Sequence, residues 1–157
     1  MKPRTIHALL CVAIAAAGCN RVPKADADAA LETVRRNVRS LQEEKVEEMM
    51  GTIHPRSPVF AATRATVTEL VRDFDFTCEL AALEVVGSRG GDLRVRFEQI
   101  TERRKGDVIE PKTRLLGVHV LKKDGDVWKI YDTENISADL VDPLPEDPEP
   151  AEEKPAP

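Results

Sequence analysis

The sequence is poor in the residues that most often build active sites and metal centres. Aromatic residues make up 4% of the 157 positions, with one Trp and one Tyr, and there are only three His and three Cys. Their positions give no zinc-type spacing, and no phosphate-binding glycine loop or nucleophile motif is present, so we expect no metal or other cofactor. Basic residues number 23 against 28 acidic ones, and this net charge of −5 excludes a dedicated nucleic-acid binder.

Residues 1–18 have the features of a bacterial signal peptide. Two basic residues among the first four precede the apolar run 6–17, which is too short to cross a bilayer as a helix. The run ends in small residues before a cysteine and resembles the lipobox of bacterial lipoproteins, Ala16-Ala17-Gly18-Cys19. The resemblance implies an acylated Cys19 (palmitate-type chains) that anchors the mature chain in the cell envelope: on the outer membrane, on the periplasmic side or at the cell surface. The alternative is an ordinary signal peptide cleaved near Ala17 or Gly18, which leaves Cys19 as a plain thiol.

The rest of the chain divides by composition into a tether, one domain and a tail. Residues 19–28 are polar and predict a flexible tether, and residues 143–157 contain six Pro and five acidic residues, which predicts a disordered tail. The domain therefore spans 29–142. With Cys19 acylated, its Cys78 is the only free thiol, and the alternation around Cys78 indicates a buried, inert strand residue.

The first half of the domain has helical periodicity. Asp26 or Asp28 is expected to cap a first helix that Gly51 ends. Ser57, followed by a proline, is a restart signal for a second amphipathic helix that runs to about Phe74.

The second half has the period of two that is typical of strands. Four strands are predicted near 76–87, 92–104, 109–122 and 127–134, separated by turns rich in Gly, Asp and Lys. Ile100 breaks the alternation of its strand and indicates a bulge or bend. The fold class is therefore α+β, with two N-terminal helices packed in a curved antiparallel four-stranded meander.

The domain resembles the nuclear transport factor 2-like superfamily, which shares a cystatin-like layout and includes ketosteroid isomerase-like and polyketide cyclase-like (SnoaL-like) proteins. The resemblance rests on the two helices, the break 53–58 between them, the strand 83–86 and the ending 117–132, where a Lys-Asp-Gly turn precedes Trp128-Lys129-Ile130. It implies a cone-shaped α+β roll. Because this fold carries many unrelated activities, the resemblance alone implies no function.

Three residues are candidates for a site in such a cone. His119 could act as a general base oriented by Glu98 or Glu134 if its side chain faces the interior, but both faces of its strand are apolar, which leaves its direction open. Tyr131 is the only phenol of the sequence, and His54 lies in the break between the helices, where it could line the entrance of the cone. A structural role is favoured for each of them, and no catalytic residue is assigned.

Two classes of function stay open. The favoured one is a membrane-anchored, non-enzymatic module that binds a small apolar ligand in the cone, or a partner through the exposed sheet face, where a homodimer could form. The alternative is an isomerase- or dehydratase-type enzyme that uses the cone cavity. Basic residues on neighbouring strands could form an anionic-ligand patch, but ion pairing with interleaved glutamates is favoured over it, the basic residues being Arg94, Arg96, Lys112 and Arg114.

Overall fold

A computed structural model describes residues 22–141 of the chain. The predicted signal peptide 1–18, Cys19 and the predicted tail 143–157 lie outside the described residues. Three helices precede five strands, in the order α1 Lys24–Gln42, α2 Val46–Gly51, α3 Phe60–Asp73, β1 Asp75–Arg89, β2 Asp92–Lys105, β3 Val108–Ile109, β4 Thr113–Asp124 and β5 Val127–Leu140. The predicted α+β class is confirmed.

The helical region differs from the prediction in its boundaries. The expected first helix is two helices, because the chain turns at Glu44, which adopts a positive φ of 59°. The expected caps at Asp26 and Asp28 are wrong, since α1 begins at Lys24, after Pro23. Helical structure therefore includes the last five residues of the predicted tether.

The end of α2 and the start of α3 also differ from the prediction. Gly51 is the last residue of α2, and Thr52 follows as its cap. α3 begins at Phe60 instead of directly after Ser57, whose hydroxyl accepts a hydrogen bond from the backbone N–H of Val59 at 3.3 Å. The predicted restart signal thus shapes the turn that leads into α3.

A buried polar network fixes α1 to the segment that follows α2. The Asn37 side chain donates a hydrogen bond of 2.7 Å to the hydroxyl of Thr52, which in turn donates to the carbonyl of Met49 at 2.6 Å. Thr52 has no exposed surface, so these bonds replace the water it loses on folding. The hydroxyl of Thr33 donates to the carbonyl of Trp128 at 2.8 Å and ties the same helix to the sheet.

The strands form one antiparallel sheet in the order β1-β2-β4-β5, with the short β3 paired to β2. The predicted meander is present, but β3 was not expected and β5 extends six residues beyond the predicted end at 134. The bulge expected at Ile100 is wrong, because β2 keeps its register with both neighbours there. Register shifts instead leave one extra residue at Ala81 and Val86 of β1 and at Tyr131 and Ile136 of β5.

The hydrophobic core lies between α1, α2 and one face of the sheet. It includes Val34, which has no exposed surface, and Trp128, which is 5% exposed. The remaining members come from both helices, the loop after α2 and three strands: Ala30, Met50, Ile53, Leu93, Val95, Leu121 and Ile130. This part of the cone interior is therefore occupied by the protein's own side chains.

The opposite face of the sheet carries ion pairs between strands. Val118 of β4, whose neighbours in register are Arg96 and Glu134, is only 6% exposed, since charged side chains flank it. The favoured ion-pairing interpretation is confirmed, with the pairs Arg94–Glu134, Arg96–Glu84, Arg114–Glu98 and Lys112–Glu102. The sequence shows apolar residues on both faces of β4 because one face packs against the helices and the other is covered by the side chains of these ion pairs.

None of the helices within residues 22–141 is long and apolar enough to cross a membrane.

Candidate functional site

His119 lies on the face of β4 that turns toward the helices. It stands opposite Val95 of β2 and Thr133 of β5, two residues from the core residue Leu121. The ring is stacked on Phe97 with centroids 4.2 Å apart and planes 14° apart, and its Nδ1 is 2.8 Å from the hydroxyl of Thr133. The side chain of His119, whose direction the hydrophobic alternation of β4 did not determine, therefore points toward the helices.

The environment of His119 is that of a packed neutral imidazole. Burial lowers its pKa from 6.5 to about 4, because the charged ring would lose its hydration without gaining a charged partner. The carboxylate of Glu134 bonds Arg94 at 2.7 Å, and that of Glu98 bonds Arg114 at 3.2 Å. The partner of His119 is thus a hydroxyl, and the two expected orienting glutamates are engaged elsewhere.

His54 is 2% exposed and lies in the loop between α2 and α3. Its backbone N–H donates to the carbonyl of Ile130 at 2.7 Å, beside a parallel bridge between Ile53 and Ile130. Its Nδ1 accepts the backbone N–H of Arg56 at 3.1 Å, so the neutral ring carries its proton on Nε2. The loop that holds His54 therefore closes the outer edge of β5.

Tyr131 is brought to His54 by the irregular register of β5. It is the extra residue between the pairs Val120–Asp132 and Leu121–Ile130. Its ring meets the ring of His54 edge to face, with centroids 5.6 Å apart, and the ammonium of Lys122 lies 3.8 Å from the Tyr131 ring centroid. The two sequence candidates His54 and Tyr131 are thus neighbours, while His119 lies apart from them on the inner face of the sheet.

These residues line a pocket of about 270 Å³ that we call the basic pocket, made of His54, Arg56, Lys122, Lys123 and Tyr131. Three of the five carry a positive charge and none is acidic. Arg56, Lys122 and Lys123 were not identified from the sequence, because the loop after α2 meets the β4–β5 turn only through tertiary contacts. The only local sign of a basic site in the sequence is the pair of adjacent lysines, Lys122 and Lys123, before an Asp-Gly turn.

The remaining thiol and carboxylates give no second site in the region that the structure covers. Cys78 is partly buried in β1, where burial raises its pKa and its Sγ lies 3.9 Å from the hydroxyl of Thr101. A raised pKa makes the thiolate scarce at neutral pH, in agreement with an unreactive strand cysteine. Within 22–141, no group of three or more metal-ligating side chains converges.

Solved structures with the same fold include nuclear transport factor 2-like proteins. A proposed aromatic ring hydroxylase from Novosphingobium aromaticivorans is 14% identical, with a TM-score of 0.62 over 78% of this chain and 94% of the other. A proposed dehydratase of the same class from Streptomyces avermitilis is 11% identical, with a TM-score of 0.60 over 71% and 94%. A ketosteroid isomerase-like protein from Erwinia carotovora is also 11% identical, with a TM-score of 0.56 over 73% and 99%.

These likenesses confirm the predicted nuclear transport factor 2-like fold, and at such low identity they establish the fold alone. Within that class, residues 32–141 match the family described as the C-terminal domain of the anti-sigma-I factor RsgI9. The match covers most of the chain, and the chain belongs to this family. Among curated proteins, no sequence matches it.

Proposed function

We propose that the chain is an envelope-anchored lipoprotein whose nuclear transport factor 2-like domain binds a ligand or a partner and catalyses no reaction. The observation that carries the binding role is the state of His119. This histidine is stacked on Phe97 and hydrogen-bonded to the hydroxyl of Thr133, on the inner face of the sheet beside a core that the protein's own side chains fill. The family is consistent with this role, since it takes its name from the C-terminal domain of an anti-sigma factor and not from an enzyme.

The alternative, an isomerase- or dehydratase-type enzyme in the cone, has weaker support. Structural relatives described as a dehydratase or as ketosteroid isomerase-like share the fold with this chain at 11% identity. General acid–base chemistry in a cone calls for a base with a pKa near the working pH. A histidine whose pKa is about 4 is a weak base at pH 7.

Anchoring through Cys19 is supported by the sequence around it. The apolar run 6–17 and the small residues before Cys19 have the pattern of a lipoprotein signal, and several acyl chains hold a protein stably at a bilayer.

Intact-mass spectrometry of the membrane fraction tests the anchor directly. We expect a wild-type chain that starts at Cys19 and carries the added mass of its acyl chains. The Cys19→Ser variant should lack that mass. Cys78→Ser is the matched control, because it removes the domain's own thiol and should leave both the acylation and the membrane association unchanged.

Two results would contradict the anchor. One is a wild-type chain with the mass of the unmodified polypeptide, recovered in the soluble fraction. The other is an acylated Cys19→Ser chain. The added mass is decisive because an unprocessed signal segment could hold the variant at the membrane without any lipid.

A homodimer through the outer sheet face is a further part of the proposal. Support comes from the ion-pair partners Arg94 and Glu134, which give this face neighbouring positive and negative groups that a second copy can complement, while Val118 between the strands is covered. Light scattering of the Cys19→Ser chain, produced without residues 1–18, should show at rising concentration a dimer that the charge reversal Arg94→Glu weakens. A monomer at every concentration would refute the dimer.

A further inference from the structure

The basic pocket concentrates positive charge around one aromatic ring. Lys122 lies against the ring of Tyr131, and His54 meets that ring from its edge. Lys122 is 3.5 Å from a carboxylate oxygen of Asp92, and Lys123 is 3.1 Å from one of Asp26. Arg56 is exposed and, among the described residues, forms no ion pair with a carboxylate.

The donors of the pocket are held in place by the fold. His54 is buried, and its Nδ1 is occupied by the N–H of Arg56, which leaves Nε2 as the N–H donor of the ring. Arg56 follows on the same loop, and the bulge at Tyr131 brings the phenol beside them. The pocket thus combines the guanidinium of Arg56, the ammonium of Lys122, an imidazole N–H and a phenol, while the ammonium of Lys123 is engaged by Asp26 and lies over the ring of Trp128.

A carboxylate outside the pocket lining senses its positive field. The pKa of Asp124 is lowered, first by a hydrogen bond from Lys129 at 2.8 Å and also by the nearby charges of Lys129 and Arg56. Such a field attracts anions to the opening of the pocket.

We propose that the basic pocket is a binding site for the phosphate group of a ligand. A phosphate carries more charge than a carboxylate and offers more acceptor oxygens, which suits a space where the cations of Arg56 and Lys122 stand beside two neutral donors. The volume of about 270 Å³ leaves room for a further part of the ligand against Tyr131. The inference deepens the proposed binding role and does not depend on the lipid anchor.

Isothermal titration with inorganic phosphate, at constant ionic strength, tests the site. The chain is produced without residues 1–18 and carries Cys19→Ser, so that neither the signal segment nor acylation has an influence and a failed anchor cannot imitate a failed site. We expect Arg56→Gln to weaken phosphate binding about tenfold or more, since a hydrogen bond to a charged group typically contributes that much. Lys122→Gln should weaken it as well.

Arg96→Gln is the matched control, because it removes the same charge from the outer sheet face, where Arg96 pairs with Glu84. It should leave the affinity for phosphate unchanged. Acetate, as a carboxylate probe, should bind at least tenfold more weakly than phosphate. Absence of phosphate binding, equal losses in the Arg56 and Arg96 variants, or acetate binding as tight as phosphate would each overturn the proposal.

Phosphate groups reach the cell envelope on lipids or on small molecules, and vesicles distinguish these sources. The Cys19→Ser chain is sedimented with phosphatidylglycerol vesicles, with phosphatidylcholine vesicles as the reference. Sedimentation with phosphatidylglycerol that Arg56→Gln abolishes and Arg96→Gln does not would support the site with a lipid headgroup as its ligand. Phosphate binding without vesicle binding would support it with a small phosphorylated molecule.

Discussion

Acidification provides a sharp test of the packing around His119. The pKa of His119 falls from 6.5 to about 4 on burial, so the folded chain favours the neutral ring more strongly than the unfolded chain does. When the pKa of a histidine is lower in the folded chain than in the unfolded chain, its contribution to stability is complete at pH values above the unfolded-state pKa. This contribution is lost as the pH falls from about 6.5 toward 4, because the unfolded chain then binds a proton that the folded chain rejects.

The two pKa values set the size of the effect. The interval between 6.5 and about 4 corresponds to about 3 kcal/mol in the free energy of unfolding. Since other groups also titrate in this range, the useful quantity is the difference between the wild type and His119→Asn. Asparagine removes the titration and keeps a polar atom near the hydroxyl of Thr133. It also loses the stacking on Phe97, which gives an offset that does not change with pH.

Urea unfolding followed at pH 7.5, 6, 5 and 4 measures this difference. We expect the advantage of the wild type over His119→Asn to shrink by about 3 kcal/mol from the highest pH to the lowest. A difference that stays constant over this range would refute the buried neutral imidazole. So would an NMR titration in which the folded His119 ring has a pKa near 6.5.

Two further substitutions test the packing and the buried hydrogen bonds. Gly117→Ala should destabilise the chain by about 1–3 kcal/mol, because the added Cβ would lie 2.7 Å from an aromatic ring and 2.9 Å from a backbone oxygen. Gly51→Ala, with open space around its Cβ, should be neutral or stabilising, and equal losses at both glycines in thermal unfolding would contradict the packing argument. Thr52→Val should cost about 1–3 kcal/mol in urea unfolding, because it leaves the buried Asn37 amide without its acceptor. The exposed Thr68→Val should change stability by no more than about 0.5 kcal/mol, and equal costs at the two threonines would show that the buried bond contributes nothing.

The strands could be predicted because their signals are local. The alternation of apolar and polar residues indicates the central part of each strand. Glycines indicate the turns between strands, such as Gly90 and Gly125, which adopt φ of 61° and 64°. The division of the first helix could not be predicted in this way. It occurs at Glu44, where no glycine or proline breaks the helical pattern, and the buried bond between Asn37 and Thr52 holds the chain after the turn.

The candidate site could be predicted only as separate residues. His54 and Tyr131 were both identified from the sequence, but their contact depends on a bulge in β5 and on the bridge between Ile53 and Ile130. Both features join residues far apart in the chain, which a local period does not reveal. The inward direction of His119 likewise required the register between strands, since both faces of β4 are apolar.

In the proposed binding mode, the ligand occupies the basic pocket and not the interior of the cone, where the protein's own side chains form the core. An NMR experiment on histidine ring signals tests this most directly, because the whole sequence contains only three His. The signals are assigned with His54→Gln and His119→Asn, and inorganic phosphate is then added to the Cys19→Ser chain at constant pH. We expect the His54 ring signal to shift in a saturable way while that of His119 stays in place. A saturable shift of His119 with an unchanged His54 signal would contradict it.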